Sequence, residues 1–180
     1  MEDAGRDVAV LLPGTGYTVQ GPLLAFAAQV LGDRGWHVER VSWTVDAAAE
    51  HDPEAFVEQA VEAAFARAGS AAGGRRLVDA KSFGCSALPW ALGAGVAGAW
   101  FTPVTTHVPV RAALAAAGPE HWAVGGSGDP LWQVDGLTTA GAELVTVPDA
   151  DHGLRVPGDW RAGVAAHRSV LERLDARLAG

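Results

Sequence analysis

The sequence predicts a doubly wound parallel α/β sheet, and two patterns support this prediction. Six short apolar segments of strand length recur along the 180 residues, and segments with apolar residues at helical spacing lie between them. The first of the six, residues 7–12, is continuously apolar after its first residue, which is typical of a strand buried on both faces. Strands that alternate with helices in this way form parallel sheets covered by helices.

The predicted strands differ in their patterns. The second alternates apolar and polar residues, as strands near a sheet edge do. In chain order the six predicted strands are 7–12, 36–43, 76–80, 98–102, 121–126 and 142–147.

Two amphipathic segments in the first half of the chain predict helices. The first begins at Gly21 with a proline after it and stops near Gly32. The second follows Asp52 as N-cap, with Pro53 at the first helical position, and closes at Gly69. Both have apolar residues at the spacing that one buried helix face requires.

The last predicted helix follows Asp159, with an apolar face made of Val164, Leu171, Leu174 and Leu178. The glycine-rich stretch 69–76 is interpreted as a loop and not as a domain linker, because strand and helix continue to alternate across it. Residues 1–180 are therefore expected to form one domain.

Composition narrows the class of protein. Hydrophobic residues make up 49% of the chain and charged residues 19%, which is typical of a globular protein. The net charge of −8 and the scattered Lys and Arg argue against a nucleic-acid partner. A single cysteine, Cys85, excludes an internal disulfide and a Cys-rich metal site. The N-terminus does not resemble a signal peptide, and no apolar stretch approaches the roughly 20 residues that span a bilayer. We therefore expect a cytoplasmic protein without a membrane partner.

Ser82 stands where the third predicted strand ends and a segment of small residues begins. One interpretation is a helix N-cap, the usual role of serine at such a point. The other is a nucleophile on a strained strand–turn–helix, where the flanking residues must be small and the motif reads G-x-S-x-G. Residues 80–84 read A-K-S-F-G, with alanine at the first glycine position. This segment alone leaves both interpretations open.

Asp129 and His152 also follow predicted strands, in the loops after 121–126 and 142–147. Asp129 is either the N-cap of a helix that begins at Pro130 or the carboxylate that orients a catalytic histidine. His107 follows a strand-end loop and is the serious competitor to His152. Ligands bind at the carboxyl ends of strands in open α/β sheets, which is where these residues are expected.

The segment 11–18, L-L-P-G-T-G-Y-T, is a glycine-rich turn after the first strand. It is not a dinucleotide-binding G-x-G-x-x-G motif, because Val19 stands where the third glycine would be. Its backbone N–H groups could form half of an oxyanion hole. Arg75 and Ala80 stand where a phosphate-binding loop ending at Ser82 needs glycine, which argues against such a loop.

The order Ser82, Asp129, His152 is the Ser…Asp…His order of α/β-hydrolase triads. The segments LLPGTGYT, AKSFG, WFTPV, GGSGDPLW and VPDADHGL occur in order over most of the chain. With them, the chain resembles small lidless bacterial α/β-hydrolases whose elbow carries lysine before the serine. The resemblance implies a minimal α/β-hydrolase fold of about six parallel strands, the first strand central, with helices on both faces. It would lack the family's first two strands and a lid domain.

The resemblance also implies a serine hydrolase of the carboxylesterase class (EC 3.1.1) that cleaves a small carboxylic ester or thioester through an acyl-enzyme. Ser82 would be the nucleophile, His152 the base and Asp129 the residue that orients it. The backbone N–H groups of Thr15 and Phe83 would form the oxyanion hole. No cofactor and no metal are expected. The residues expected to bind the substrate are Gly16, Tyr17, Lys81 and Trp132.

Two alternatives stay open beside hydrolysis. The same triad could transfer the acyl group to an alcohol or amine instead of water. The chain could also be a non-catalytic binding module on the hydrolase fold, which the alanine at position 80 favours weakly and the ordered Ser, Asp and His oppose. The sheet edge left open by the missing strands could pair two subunits, so a homodimer is a further hypothesis.

Overall fold

The computed structural model describes residues 5–69 and 73–179, and residues 70–72 of the predicted loop lie outside them. In these ranges the strands are β1 (Val8–Leu12), β2 (His37–Arg40), β3 (Arg76–Lys81), β4 (Ala97–Phe101), β5 (His121–Gly126) and β6 (Glu143–Val147). The α-helices are α1 (Pro22–Asp33), α2 (Ala47–His51), α3 (Pro53–Ala68), α4 (Leu88–Ala94), α5 (Val108–Ala116) and α6 (Trp160–Leu178). A short 3₁₀ helix, Ser82–Ala87, joins β3 to α4.

The six strands form one sheet in the order β2-β1-β3-β4-β5-β6, and every neighbouring pair is parallel. The predicted doubly wound parallel sheet is therefore confirmed. β1 is an interior strand, but it lies second from the edge and not at the centre as expected, because only β2 stands beyond it.

Helices cover both faces of the sheet. Alternate residues of β1 face opposite sides, so that Ala9 and Leu11 pack with α1 and α6 while Val8, Val10 and Leu12 pack with α3, α4 and α5. All five β1 side chains are fully buried. This two-sided burial explains the uninterrupted apolar run in the sequence.

The predicted helix ends agree with the structure. The Asp52 carboxylate accepts a hydrogen bond from the backbone N–H of Ala55 at the start of α3, and Asp159 caps α6 through Ala162 in the same way. Gly69 ends α3 in the left-handed conformation with φ 60°, which glycine adopts without the steric cost that a side chain brings.

Five further features differ from the sequence-based expectations. β2 covers only four of the eight residues predicted for it, and α2 and α5 were not anticipated. No helix follows Asp129, so it cannot be the helix N-cap considered above. Val164 lies on the exposed side of α6, 60% accessible, because the smaller Gly163 and Ala166 occupy the positions that face the sheet.

The chain leaves β1 for β2 on one side and returns to β3 on the other. The carboxyl ends of β1 and β3 therefore form a topological switch point, where open α/β sheets bind ligands. Among the described residues, no helix is both long enough and apolar enough to cross a membrane.

Candidate active site

Ser82 is held in a strained backbone conformation at the end of β3. Its φ is 53°, in the left-handed region that a residue with a side chain rarely adopts. The turn passes close to β1, since a Cβ on Gly84 would lie 2.8 Å from the Leu12 carbonyl oxygen and 2.8 Å from that of Pro13. A strained serine followed two residues later by a glycine that no larger residue could replace is the geometry expected of a nucleophile elbow.

Ser82, His152 and Asp129 form a continuous chain of hydrogen bonds. His152 Nε2 lies 2.8 Å from Ser82 Oγ, and His152 Nδ1 lies 2.6 Å from Asp129 Oδ2. The Asp129 side chain is fully buried, whereas the His152 ring is 32% exposed. The sequence placed these residues in three separate loops, and the structure brings all three together.

Asp129 is fixed independently of His152. Its second oxygen, Oδ1, accepts a hydrogen bond from the backbone N–H of Leu131. The preceding loop is tied to the one that carries His152, because Gly128 N–H donates to the Ala150 carbonyl and Asp149 N–H donates to Ser127 Oγ. These hydrogen bonds between the two loops fix the position of the Asp129 carboxylate relative to His152.

The loop after His152 is a tight turn closed by Asp151. Its Oδ1 accepts hydrogen bonds from the backbone N–H groups of Gly153 and Arg155, and its Oδ2 pairs with the Arg155 guanidinium. Although burial acts to raise the pKa of Asp151, these hydrogen bonds hold it below its usual value. His167 of α6 adds a hydrogen bond between its Nε2 and the Gly153 carbonyl. Sequence reasoning missed all three positioning residues, since Asp151 and Arg155 are ordinary loop charges and His167 reads as a packed helical residue.

Lys81 is buried, 2% exposed, and its ammonium points into the site. Nζ donates to Thr102 Oγ1 at 2.8 Å and to the His152 carbonyl at 2.9 Å, and it lies 4.8 Å from the centre of the Tyr17 ring. Burial lowers the pKa of Lys81 to about 8. Lys81 thus lines the pocket, as predicted for a substrate-binding residue, and also holds the backbone of the histidine loop.

The glycine turn after β1 lies opposite Ser82. A Cβ on Gly14 would be 3.3 Å from Ser82 Cβ, so the turn approaches the serine closely. Tyr17 closes the turn through its carbonyl, which accepts from Gly14 N–H, and its hydroxyl accepts from Leu23 N–H at the start of α1. A pocket of about 570 Å³ opens above Ser82, and Thr15, Gly16, Tyr17, Lys81 and His152 are among the residues that line it.

Two predicted residues do not reach this pocket with their side chains. The Phe83 ring packs edge-on against Trp43 and Phe56, which leaves its backbone N–H as the group that could serve the site. Trp132 is only 6% exposed, and its indole N–H donates to Thr146 Oγ1. It packs so tightly on β5 that a Cβ on Gly125 would lie 2.1 Å from its ring. Trp132 is therefore a core residue and does not line the pocket above Ser82.

The remaining candidates have other partners. His107, the competitor to His152, has its Nε2 2.6 Å from the Glu54 carboxylate of α3. Cys85 is fully buried, its thiol lies against the Ala80 and Phe101 carbonyls, and burial raises its pKa. A thiol in these surroundings is unreactive. In the described ranges, no group of three or more His, Cys, Asp or Glu side chains is arranged to hold a metal ion.

The sequence matches no protein-family model and no curated protein. Solved structures do resemble it. A proposed α/β-hydrolase of unknown function from Agrobacterium tumefaciens is 18% identical with a TM-score of 0.70, over 97% of this chain and 87% of that one. A proposed hydrolase of the α/β superfamily from Xanthomonas campestris is 23% identical with a TM-score of 0.67, over 95% and 99%. An α/β serine hydrolase without a lid, also from Xanthomonas campestris, is 16% identical with a TM-score of 0.61, over 96% and 85%.

Similarity at this level of identity concerns the fold. The chain has the α/β-hydrolase fold in a small form, with six parallel strands and helices on both faces. In the described residues the connection between β4 and β5 holds the single helix α5. The predicted fold class is confirmed.

Proposed function

We propose that this protein is a serine hydrolase that cleaves a carboxylic ester or thioester through an acyl-enzyme. The observation that carries the proposal is the hydrogen-bonded series Ser82–His152–Asp129, with a strained serine at the switch point of the sheet. The α/β-hydrolase fold supports it, since one structural neighbour with this fold is described as a serine hydrolase without a lid.

In the first step Ser82 Oγ attacks the acyl carbon, and its proton passes to His152 Nε2. The carbonyl double bond opens to an oxyanion, and the buried Asp129 carboxylate stabilises the imidazolium. When the oxyanion collapses, the bond to the leaving group breaks and His152 returns the proton to the leaving oxygen or sulfur. Water repeats the sequence on the acyl-enzyme and releases a carboxylic acid and free Ser82.

The backbone N–H groups of Thr15 and Phe83 are proposed to receive the oxyanion. Thr15 belongs to the turn opposite Ser82, and Phe83 directly follows the nucleophile at the first turn of the 3₁₀ helix. Each such donor stabilises a transition state by about 3 kcal/mol. Gly16, Tyr17 and Lys81 remain the proposed lining of the substrate pocket.

Acyl transfer to an alcohol or amine uses the same residues, and the two reactions are separated by the products formed when an acceptor is added. A non-catalytic binding module is the less favoured alternative. A site that only binds has no need of a histidine placed 2.8 Å from a serine whose backbone is strained.

Covalent labelling tests the proposal. Wild-type protein treated with a fluorophosphonate should gain one adduct by intact mass, and Ser82→Ala should gain none while keeping its circular dichroism spectrum. Hydrolysis of p-nitrophenyl acetate by Ser82→Ala should fall at least about a thousandfold, because the nucleophile is lost.

Ser86→Ala provides the matched control, since Ser86 lies in the same 3₁₀ helix, is buried and takes no part in the triad. It should be labelled like wild type. A folded wild-type protein that gains no adduct, or an adduct that persists in Ser82→Ala, would overturn the assignment of Ser82.

A further inference from the structure

A long apolar groove lies between α1 and α6, outside the pocket above Ser82. Its volume is about 1270 Å³, against roughly 300–1,000 Å³ for ordinary ligand pockets. Its apolar lining includes Pro22, Phe26, Val30, Trp160, Val164 and Leu171.

The groove concentrates the apolar surface that the fold leaves in water. Phe26 is 55% exposed, Trp160 68% and Val164 60%, and these are three of the four large hydrophobic side chains exposed in the described residues. Exposed apolar surface that is gathered in one place, and not scattered singly, is a common feature of binding sites.

Helical spacing gives the groove its shape. Pro22, Phe26 and Val30 stand four residues apart and share one face of α1. Trp160, Val164 and Leu171 follow similar spacing along α6. At about 1.5 Å per residue the α6 stripe extends over roughly 16 Å, so the groove suits a chain-shaped ligand.

The groove adjoins the site of the proposed chemistry. Pro22, Arg155 and His167 line both the groove and the pocket above Ser82. The groove and the pocket above Ser82 therefore adjoin at these three side chains.

Charges at the rim argue for an uncharged occupant. Arg155 pairs with Asp151, Arg168 with Glu172, and Arg34 with Asp175 at the far end. A further lining carboxylate, Asp159, lies outside these pairs and caps α6 through the Ala162 N–H, so the rim offers no attraction to an anion and only weak attraction to a cation.

From these observations we infer that the groove binds the unbranched apolar acyl chain of the substrate, so that the enzyme prefers medium- and long-chain esters or thioesters. The inference rests on the proposed function and changes its substrate class, because the sequence alone suggested a small ester. Burial of each methylene group should then raise kcat/KM about two- to fourfold.

The test is a series of p-nitrophenyl esters from acetate to decanoate. For wild type, kcat/KM should rise with chain length, and in the double variant Trp160→Gln, Val164→Gln the decanoate-to-acetate ratio should fall at least about tenfold. Val108→Gln is the matched control, since Val108 is 76% exposed and, like Trp160, is the first residue of its helix, but lies on α5. It should keep the wild-type ratio.

The inference would be overturned if kcat/KM of wild type did not rise with chain length, or if the double variant kept the wild-type decanoate-to-acetate ratio. In either case, hydrolysis of acetate and labelling of Ser82 would still support the proposed function. If neither hydrolysis nor labelling occurs, calorimetric titration with sodium decanoate shows whether the groove binds an acyl chain. Binding at least tenfold tighter to wild type than to the double variant supports the groove, and equal binding or none overturns it. A wild-type dimer that the double variant dissociates would mean that a second copy covers the groove, and would also overturn the inference.

Discussion

Lys81 directly precedes the proposed nucleophile and carries its charge where water is nearly excluded. Its ammonium is directed at Thr102 Oγ1 and at the His152 carbonyl, a group 71 residues away in the chain. It therefore does two things for the site: it anchors the loop that presents the imidazole, and it places a positive charge on the wall of the pocket. A positive charge at low dielectric stabilises a developing oxyanion.

We predict that activity follows the protonation of Lys81. Because burial lowers the pKa of Lys81 to about 8, the ammonium is present below that pH and is lost above it. The kcat/KM of wild type should therefore decline above pH 8, and Lys81→Met should lack this decline and show about a tenfold lower kcat at pH 7 with a smaller change in KM. The measurement is a pH profile of ester hydrolysis for both proteins.

The pH profile separates this role from a structural one. If Lys81 only supported packing, Lys81→Met would lower activity by the same factor at every pH, and the alkaline decline would persist. Persistence of that decline in the variant would contradict the prediction, and thermal melting of the variant checks that it is folded.

At the level of elements, β3 carries both the nucleophile and an unusual cost to stability. Asp79 is fully buried, and neither of its carboxyl oxygens has a hydrogen-bond partner among the described residues. Burial raises the pKa of Asp79 well above its ordinary value of 3.8. The folded state therefore holds a proton that the unfolded state releases near pH 4, so that the free energy of unfolding declines as pH rises from there.

Asp79→Val should relieve this cost, since valine suits an interior parallel strand and has no polar group to satisfy. We expect the free energy of unfolding at pH 7 to rise by about 1–3 kcal/mol, with a smaller gain at pH 4. Urea denaturation of both proteins at the two pH values is the measurement. Asp33→Val, at an exposed position of α1, is the control and should change the free energy by less than about 0.5 kcal/mol. Destabilisation by Asp79→Val at pH 7 would contradict the argument.

The sequence predicts the elements that bear strong local signals. β1 is recognisable because it is buried on both faces, and α3 because Asp52, Pro53 and Gly69 mark its ends. α2 is only five residues long and carries no comparable apolar stripe, so periodicity cannot reveal it. In α6, Val164 has core-like spacing, but its exposure depends on how close Gly163 allows the helix to approach the 155–156 segment, which only the assembled fold decides.

The residues of the site likewise include some that the sequence predicts and some that it does not. Ser82, Asp129 and His152 are predictable because each lies in the segment that follows a strand, and parallel strands bring their carboxyl ends to one edge. The burial of Lys81 and of Trp132 depends on contacts with residues distant in sequence, whereas the sequence indicated only that both follow strands and could bind the substrate. Such contacts are tertiary facts that no local pattern encodes.

For the whole molecule, the homodimer hypothesis concerns the sheet edge at β2, where two copies of the chain could pair. The N–H groups of His37 and Val41 donate to the Asp7 and Leu11 carbonyls beside β1. Since alternate residues direct their N–H groups to opposite sides of a strand, that of Val38 faces the open edge. The edge is short, because β2 has only four residues. It also carries charged side chains, among them Glu39, which pairs with Arg67 of α3. Short charged edges resist association.

We therefore expect a monomer at micromolar concentration, with self-association through β2 only at much higher concentration. A four-residue edge adds few hydrogen bonds, each contributing about 1 kcal/mol, which is too little to offset the entropy lost on association. Light scattering across a concentration series measures the mass. Val38→Pro should abolish any association and leave the fold intact, because proline removes only an N–H that faces solvent. A stable dimer at micromolar concentration that survives Val38→Pro would show that the subunits meet elsewhere on the molecule, and the edge would then have no part in assembly.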